Sequence, residues 1–188
     1  MDDAGELTAL VRRAAEGDQA AWNAIIDRYT NLLWSIGRSH RLSTDATADV
    51  VQTSWLRLLE NLGRIKEPER LGAWLATTAR HECLRLLRRT QREELTEDTA
   101  LDAPDTSARP LDATLLLEER DAALWRALSG IGERCRELLR VLMADPPPSY
   151  DAVSAALAMP VGSIGPTRAR CLAKLREQAT AAGLSSPI

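Results

Sequence analysis

Apolar residues recur at helical spacing along two blocks of this chain, and nowhere do they alternate as in a half-buried strand. That periodicity restricts the fold to all-α. In the first block Leu7, Leu10, Val11, Ala14 and Ala15 share one face, and Gly17-Asp18 supplies a stop followed by an N-cap. Trp22, Ile25, Ile26, Tyr29, Leu32, Leu33 and Ile36 continue the period in a second helix. After a polar break from Ser39 to Thr44, a third stripe of Val51, Trp55, Leu58, Leu59 and Leu62 is closed by Gly63. The loop Arg64 to Pro68 follows, with Pro68 placed to open a fourth helix whose stripe includes Leu71, Trp74, Leu75, Thr78, Ala79 and Leu86. On that stripe Trp74 reads as core.

The pattern collapses from Glu93 to about Ala113. Seven acidic residues there face Arg109 alone, two prolines interrupt the stretch, and no apolar stripe is sustained. Periodicity returns with Leu117, Leu124, Trp125 and Leu128, then with Ile131, Cys135, Leu138, Leu139 and Leu142. Pro146 to Pro148 end that helix and Ser149 offers the next N-cap. The expected architecture is two small helical domains, residues 1–92 and 114–180, joined by an extended acidic linker at 93–113, with a tail at 181–188.

Composition narrows the function. The 188 residues are 45% hydrophobic and 27% charged, a globular mixture. No apolar run reaches membrane-spanning length, and the opening MDDAGEL is acidic where a signal peptide would be basic, so a cytoplasmic protein without membrane association is expected. Cys83, Cys135 and Cys171 are odd in number and scattered, which points to separate half-buried thiols rather than a disulfide or zinc knuckle. No metal cluster, phosphate loop or nucleophile-base pair suggests catalysis, so neither an enzyme nor a cofactor is expected. The net charge of −3 counts against a free-standing DNA binder, because phosphate neutralisation supplies most non-specific affinity.

The distribution of charge along the chain points the other way. In SYDAVSAALAMPVGSIGPTRARCLAKLR, Ser149 to Arg176, a short helix from Tyr150 to Leu157 precedes a tight turn at Ala158 to Val161. Ser163 is then placed as the N-cap of a second helix. Between Pro160 and Arg176 stand Arg168, Arg170, Lys174 and Arg176 with no acid among them. A helix-turn-helix of this kind can enter the major groove. Ala158 occupies the turn position that often holds Gly, and Arg168 falls on the stripe that should be buried with Ile164, Leu172 and Leu175.

This segment resembles region 4 of the sigma-70 family of RNA polymerase sigma factors, in its compact extracytoplasmic-function group. DATADVVQTSWLRLLENL, Asp45 to Leu62, resembles region 2.2 of the same family, and RLGAWLATTARHECLRLLRR, Arg70 to Arg89, resembles regions 2.3 and 2.4. The resemblance covers roughly residues 5 to 178. It implies a non-enzymatic factor that binds core RNA polymerase, directs initiation at promoter DNA and aids its opening. Asp49, Gln52, Trp55, Arg57 and Glu60 would meet the coiled coil of the largest polymerase subunit. Arg64, Lys66, Arg70, Arg80, His81, Arg85, Arg88 and Arg89 would serve the −10 element, where a flipped base is captured. Ser163, Gly165, Pro166, Thr167, Arg168, Arg170 and Lys174 would serve the −35 element, with the C-terminal domain on the flap of the second-largest subunit. The acidic linker would thread basic polymerase channels, and an anti-sigma factor is a candidate further partner. The competing reading is a stand-alone helix-turn-helix regulator that binds an operator as a dimer.

Overall fold

The computed structural model describes residues 3–94, 124 and 126–184. Most of the linker expected at 93–113, together with Leu117 and Trp125, lies outside the described residues. Every regular element among them is helical. Helix α1 spans Asp3–Ala15 and α2 spans Gln19–Ser39. Between them Gly17 adopts φ +93°, and the Asp18 carboxylate accepts from the amides of Ala20 at 2.9 Å and Ala21 at 3.1 Å. The amide of Ala21, followed by the Arg13 guanidinium, holds that carboxyl below its ordinary range. The stop and cap are therefore those that the Gly-Asp pair specifies.

Helix α3 spans Thr44–Asn61, with the Ser43 hydroxyl accepting from the amide of Ala46. Its inward face carries Thr47, Val50, Val51, Ser54 and Leu58, whereas Leu59 is 60% exposed. The stripe expected from periodicity is thus rotated. Ser54 is tolerated inside because its hydroxyl donates to the Val50 carbonyl at 2.7 Å. The stop expected at Gly63 is made by a 3₁₀ turn, Leu62–Arg64, and Pro68 opens a second such turn, Pro68–Arg70. Helix α4 follows from Leu71 to Glu94. It buries Leu71, Leu75, Ala76, Ala79, Cys83 and the carboxylate of Glu82.

A helical stretch at 126–130 leads through Gly132, at φ +78°, into α5, Glu133–Leu142. Helices α6, Tyr150–Leu157, and α7, Val161–Ala181, complete the C-terminal module. Its core is Ile131, Leu138, Leu139, Val141, Val153, Ala156, Ile164 and Cys171. The two modules are packed together, most extensively α4 on α6, with α5 against α2. Small residues make this possible: Gly72 of α4 lies against Tyr29 of α2 and Ala152 of α6. At the margin Asn31 donates to the Asp145 carbonyl at 2.7 Å, Arg140 donates to the Arg38 carbonyl at 3.0 Å, and Arg41 pairs with Glu133.

The cysteines correct a sequence expectation. Cys135 and Cys171, 36 positions apart, are joined as a disulfide between α5 and α7, with Cα atoms 5.3 Å apart. Spacing along the chain carries no information about which helices meet, so the pairing was not legible in it. Cys83 remains a buried free thiol, pushed up to about 12 by burial.

Candidate nucleic-acid and polymerase interfaces

The helix-turn-helix is built as its residues dictate. Ser149 caps α6 by accepting from the Ala152 amide at 3.2 Å. The turn passes through Ala158 in the left-handed region, φ 51° and ψ 46°, a conformation that costs an L side chain about 1–2 kcal/mol. The turn is closed from both sides: the Ser154 hydroxyl donates to the Met159 carbonyl at 2.6 Å, and the Met159 amide donates to the Ser154 carbonyl at 3.2 Å.

Helix α7 begins at Val161, two positions before the N-cap expected at Ser163. Ser163 instead occupies the first turn and donates its hydroxyl to the Pro160 carbonyl at 2.7 Å. Pro166 is accommodated inside the helix, and Gly162 and Gly165 have open space where a side chain would project. Thr167 is half-buried and receives a 3.3 Å hydrogen bond from Arg170. Arg168, expected on the buried stripe, is exposed, as are Arg170, Lys174 and Arg176. Ile164 and Cys171 stay buried, with Leu172 and Leu175 half-buried, so the helix is not rotated. The long stem of Arg168 carries its head out to water. The outcome is an exposed cationic surface along one helix.

A second cationic region spans the loop before α4 and the exposed face of that helix. Arg64, Lys66 and Arg70 are exposed and line a cleft of about 670 Å³ together with Trp74, Asp151 and Val161. Trp74 is half-buried and contributes to this wall rather than to the core alone. The guanidinium of Arg70 bonds Glu67 at 3.0 Å, which raises its pKa, with the charge of Asp151 adding to the effect. Both modules therefore contribute to one cleft. On α4, His81, Arg85, Arg88 and Arg89 are exposed and Arg80 is half-buried near His40. Arg85 bonds the buried Glu82 at 2.7 Å, and Arg88 donates to the Leu84 carbonyl at 3.1 Å.

The third region is apolar. Leu56 is 54% exposed and Leu59 60%, beside a half-buried Trp55 that meets Trp22 edge to face at 6.1 Å between ring centroids. With Trp34 and Val51 they line a groove of about 440 Å³, and Arg38 lies over the Trp34 ring at 5.6 Å. Asp49, Gln52 and Glu60 are exposed on the same helix. Arg57 is engaged within the chain, ion-paired with the other oxygen of Glu82. Sequence reasoning named Trp55 here but missed Trp22, Trp34, Leu56 and exposed Leu59. The signal was present: Val50, Val51, Trp55, Leu56, Leu58 and Leu59 spread around more of α3 than one face can bury.

Among the described residues no three His, Cys, Asp or Glu side chains gather as they would around a metal ion, and no helix is long and apolar enough to cross a membrane. Residues 25–93 match the family model for sigma-70 region 2. The chain is 30% identical over 116 residues to the extracytoplasmic-function (ECF) RNA polymerase sigma factor BldN of Streptomyces coelicolor, an overlap covering 60% of this chain and 44% of the relative. It is 28% identical over 130 residues to the probable RNA polymerase sigma factor RfaY of Xanthomonas campestris, covering 67% and 32%. The chain thus spans less than half the length of these two relatives. Among solved structures it is similar to CnrH in complex with the cytosolic domain of CnrY, at 25% identity and TM-score 0.56, covering 95% of this chain and 99% of that one. The sigma factor RpoE of Bartonella quintana, solved with the anti-sigma factor NepR, shares the fold at 21% identity and TM-score 0.57, covering 84% and 97%. Residues 25–93 therefore form a sigma-70 region 2 domain, and the chain is similar to RNA polymerase sigma factors, one of them of the extracytoplasmic-function group.

Proposed function

We propose that this chain binds core RNA polymerase and directs it to particular promoters, reading a −10 element with the N-terminal module and a −35 element with the C-terminal one. The observation that carries this reading is the segregation of charge. A protein of net charge −3 displays an acid-free run of four cations from Pro160 to Arg176, all four exposed on α7. Cations concentrated in this way meet phosphate, while few base contacts specify sequence. Ser163, Gly165, Pro166, Thr167, Arg168, Arg170 and Lys174 are the proposed −35 contacts. With no side chains at Gly162 and Gly165, the first turn of α7 can approach DNA closely, so readout there rests on shape and on apolar contact with thymine methyls.

The N-terminal wall of the cleft, with Arg64, Lys66, Arg70 and Trp74, is the proposed receiver of an extruded −10 base once the modules part, because such a base presents edges that a duplex conceals. Arg80, His81, Arg85, Arg88 and Arg89 would track the adjoining backbone. The apolar groove of Trp22, Trp55, Leu56 and Leu59 is the proposed polymerase dock, rimmed by Asp49, Gln52 and Glu60. Arg57 enters this proposal through Glu82, holding α3 against α4 beneath the dock. Reading two separated elements requires the α4–α6 contact to open, and polymerase supplies the compensating surface and the high effective concentration. The protein acts in the compartment of the chromosome and performs no catalysis itself. An anti-sigma protein is proposed as a partner of the closed form, since the sigma factor RpoE was solved with the anti-sigma factor NepR bound. The test is run-off transcription with core polymerase on candidate promoters: specific initiation that depends on this chain supports the reading, and tight operator binding without polymerase overturns it.

A further inference from the structure

We propose that Cys135 and Cys171 form a reversible redox modification site whose disulfide clasps the helix-turn-helix. The bond joins α5 to α7, and the 36-position loop it closes contains all of α6 and the left-handed turn at Ala158. Cys171 is 1% exposed and lies three residues from Arg168 on one side and three from Lys174 on the other, directly beneath the cationic surface. The module that it ties is small and buries few large side chains, so a cross-link that removes freedom from its unfolded chain contributes a large share of its order.

The two sulfurs differ in access, which gives the chemistry an order. Cys171 is 1% exposed, whereas Cys135, the third residue of α5, is half-buried and within reach of a small reagent. Cys135 is therefore the entry sulfur. Its thiolate attacks a low-molecular-weight disulfide such as oxidised glutathione, forming a mixed disulfide and releasing one glutathione thiolate. The Cys171 sulfur, losing its proton, then displaces the second glutathione. Two protein thiols are oxidised to one disulfide, and one glutathione disulfide is reduced to two thiols. Cys83 does not compete, because it is wholly buried in the other module.

The regulatory meaning rests on the proposed promoter function: a factor that works on the chromosome is bathed in reducing thiols, where a disulfide is transient and sensing rather than permanent. Oxidation holds α7 against α5 and keeps the reading helix ordered. Reduction slackens that clasp.

The test uses the full chain equilibrated with oxidised or with reduced glutathione, then denatured and labelled with N-ethylmaleimide for mass spectrometry. Three labels are expected from the reduced chain and one, at Cys83, from the oxidised chain. Hydrogen exchange of the native chain should be slower across residues 133–181 in the oxidised state, by at least roughly tenfold. A Cys135→Ala, Cys171→Ala chain should show equal exchange in both buffers, and the wild-type comparison stands without it. Three labels after oxidation, glutathione adducts in place of the internal bond, or equal exchange in the two wild-type states would overturn the proposal. None of these measurements involves polymerase, so a failed promoter reading leaves them intact.

Discussion

Gly37 of α2 and Thr47 of α3 meet where the two helices cross so closely that a methyl group on Gly37 would collide with the Cγ2 methyl of Thr47. Both residues are buried, and the Thr47 hydroxyl has no hydrogen-bond partner among the described residues. Overpacking such a seam typically costs about 1–3 kcal/mol. Gly37→Ala should therefore lower the urea midpoint at constant m-value. Adding Thr47→Ala, which removes both the colliding methyl and the unsatisfied hydroxyl, should recover more than half of that loss. A double variant no more stable than the single one would refute the close crossing.

Ala158 gives a prediction of opposite sign. Its φ of 51° carries the turn between α6 and α7, where glycine has no steric penalty. Ala158→Gly should stabilise the C-terminal module by roughly 0.5–1 kcal/mol, because relief of strain exceeds the added freedom of the unfolded chain. Thermal unfolding of the full chain, followed by hydrogen exchange across residues 133–181, reads the effect.

His40 makes stability depend on pH. Burial holds its imidazole below the ordinary 6.5, and the neighbouring positive charge of Arg80 acts in the same direction. A base whose folded pKa is depressed binds protons more readily when unfolded. Its contribution is therefore present above pH 6.5 and is lost as pH falls from there toward the folded value. Glu137 works oppositely: burial raises its pKa, so the folded state gains as pH falls toward the ordinary 4.5. Denaturant midpoints at about pH 7.5 and about pH 6 isolate the histidine window. The wild-type chain should lose stability over that interval and His40→Gln should lose less.

Leu59 separates docking from folding. At 60% exposure it contributes little to the core, so Leu59→Glu should change stability by no more than about 0.5 kcal/mol. Placed in the apolar groove, the same charge should weaken association with core polymerase at least roughly tenfold, the effect of about 1.4 kcal/mol. Sedimentation or interferometry against core enzyme decides it, with circular dichroism as the control for fold. Undiminished binding would move the dock elsewhere.

Much of this was readable in the chain because the signals were local. Gly17-Asp18, Ser149 and Pro68 announce helix boundaries through backbone conformation and hydrogen bonding within a few residues. The cation run of α7 and the turn at Ala158 likewise need no distant partner to be recognised. Where the sequence misled, distant partners decided. Which side of α3 faced inward depended on where α2 and α4 lay, and that placed Val50 and Ser54 inside and Leu59 outside. Arg57, a free charge by its sequence position, was claimed by Glu82 of another helix. The fusion of the two modules through Gly72 and Ala152 left no hydrophobic signature, since small residues act there by permitting close approach rather than by burying area. The cysteine pairing was the clearest case. Residue identity and spacing determine local geometry and charge, but proximity across 36 positions exists only once the helices have packed.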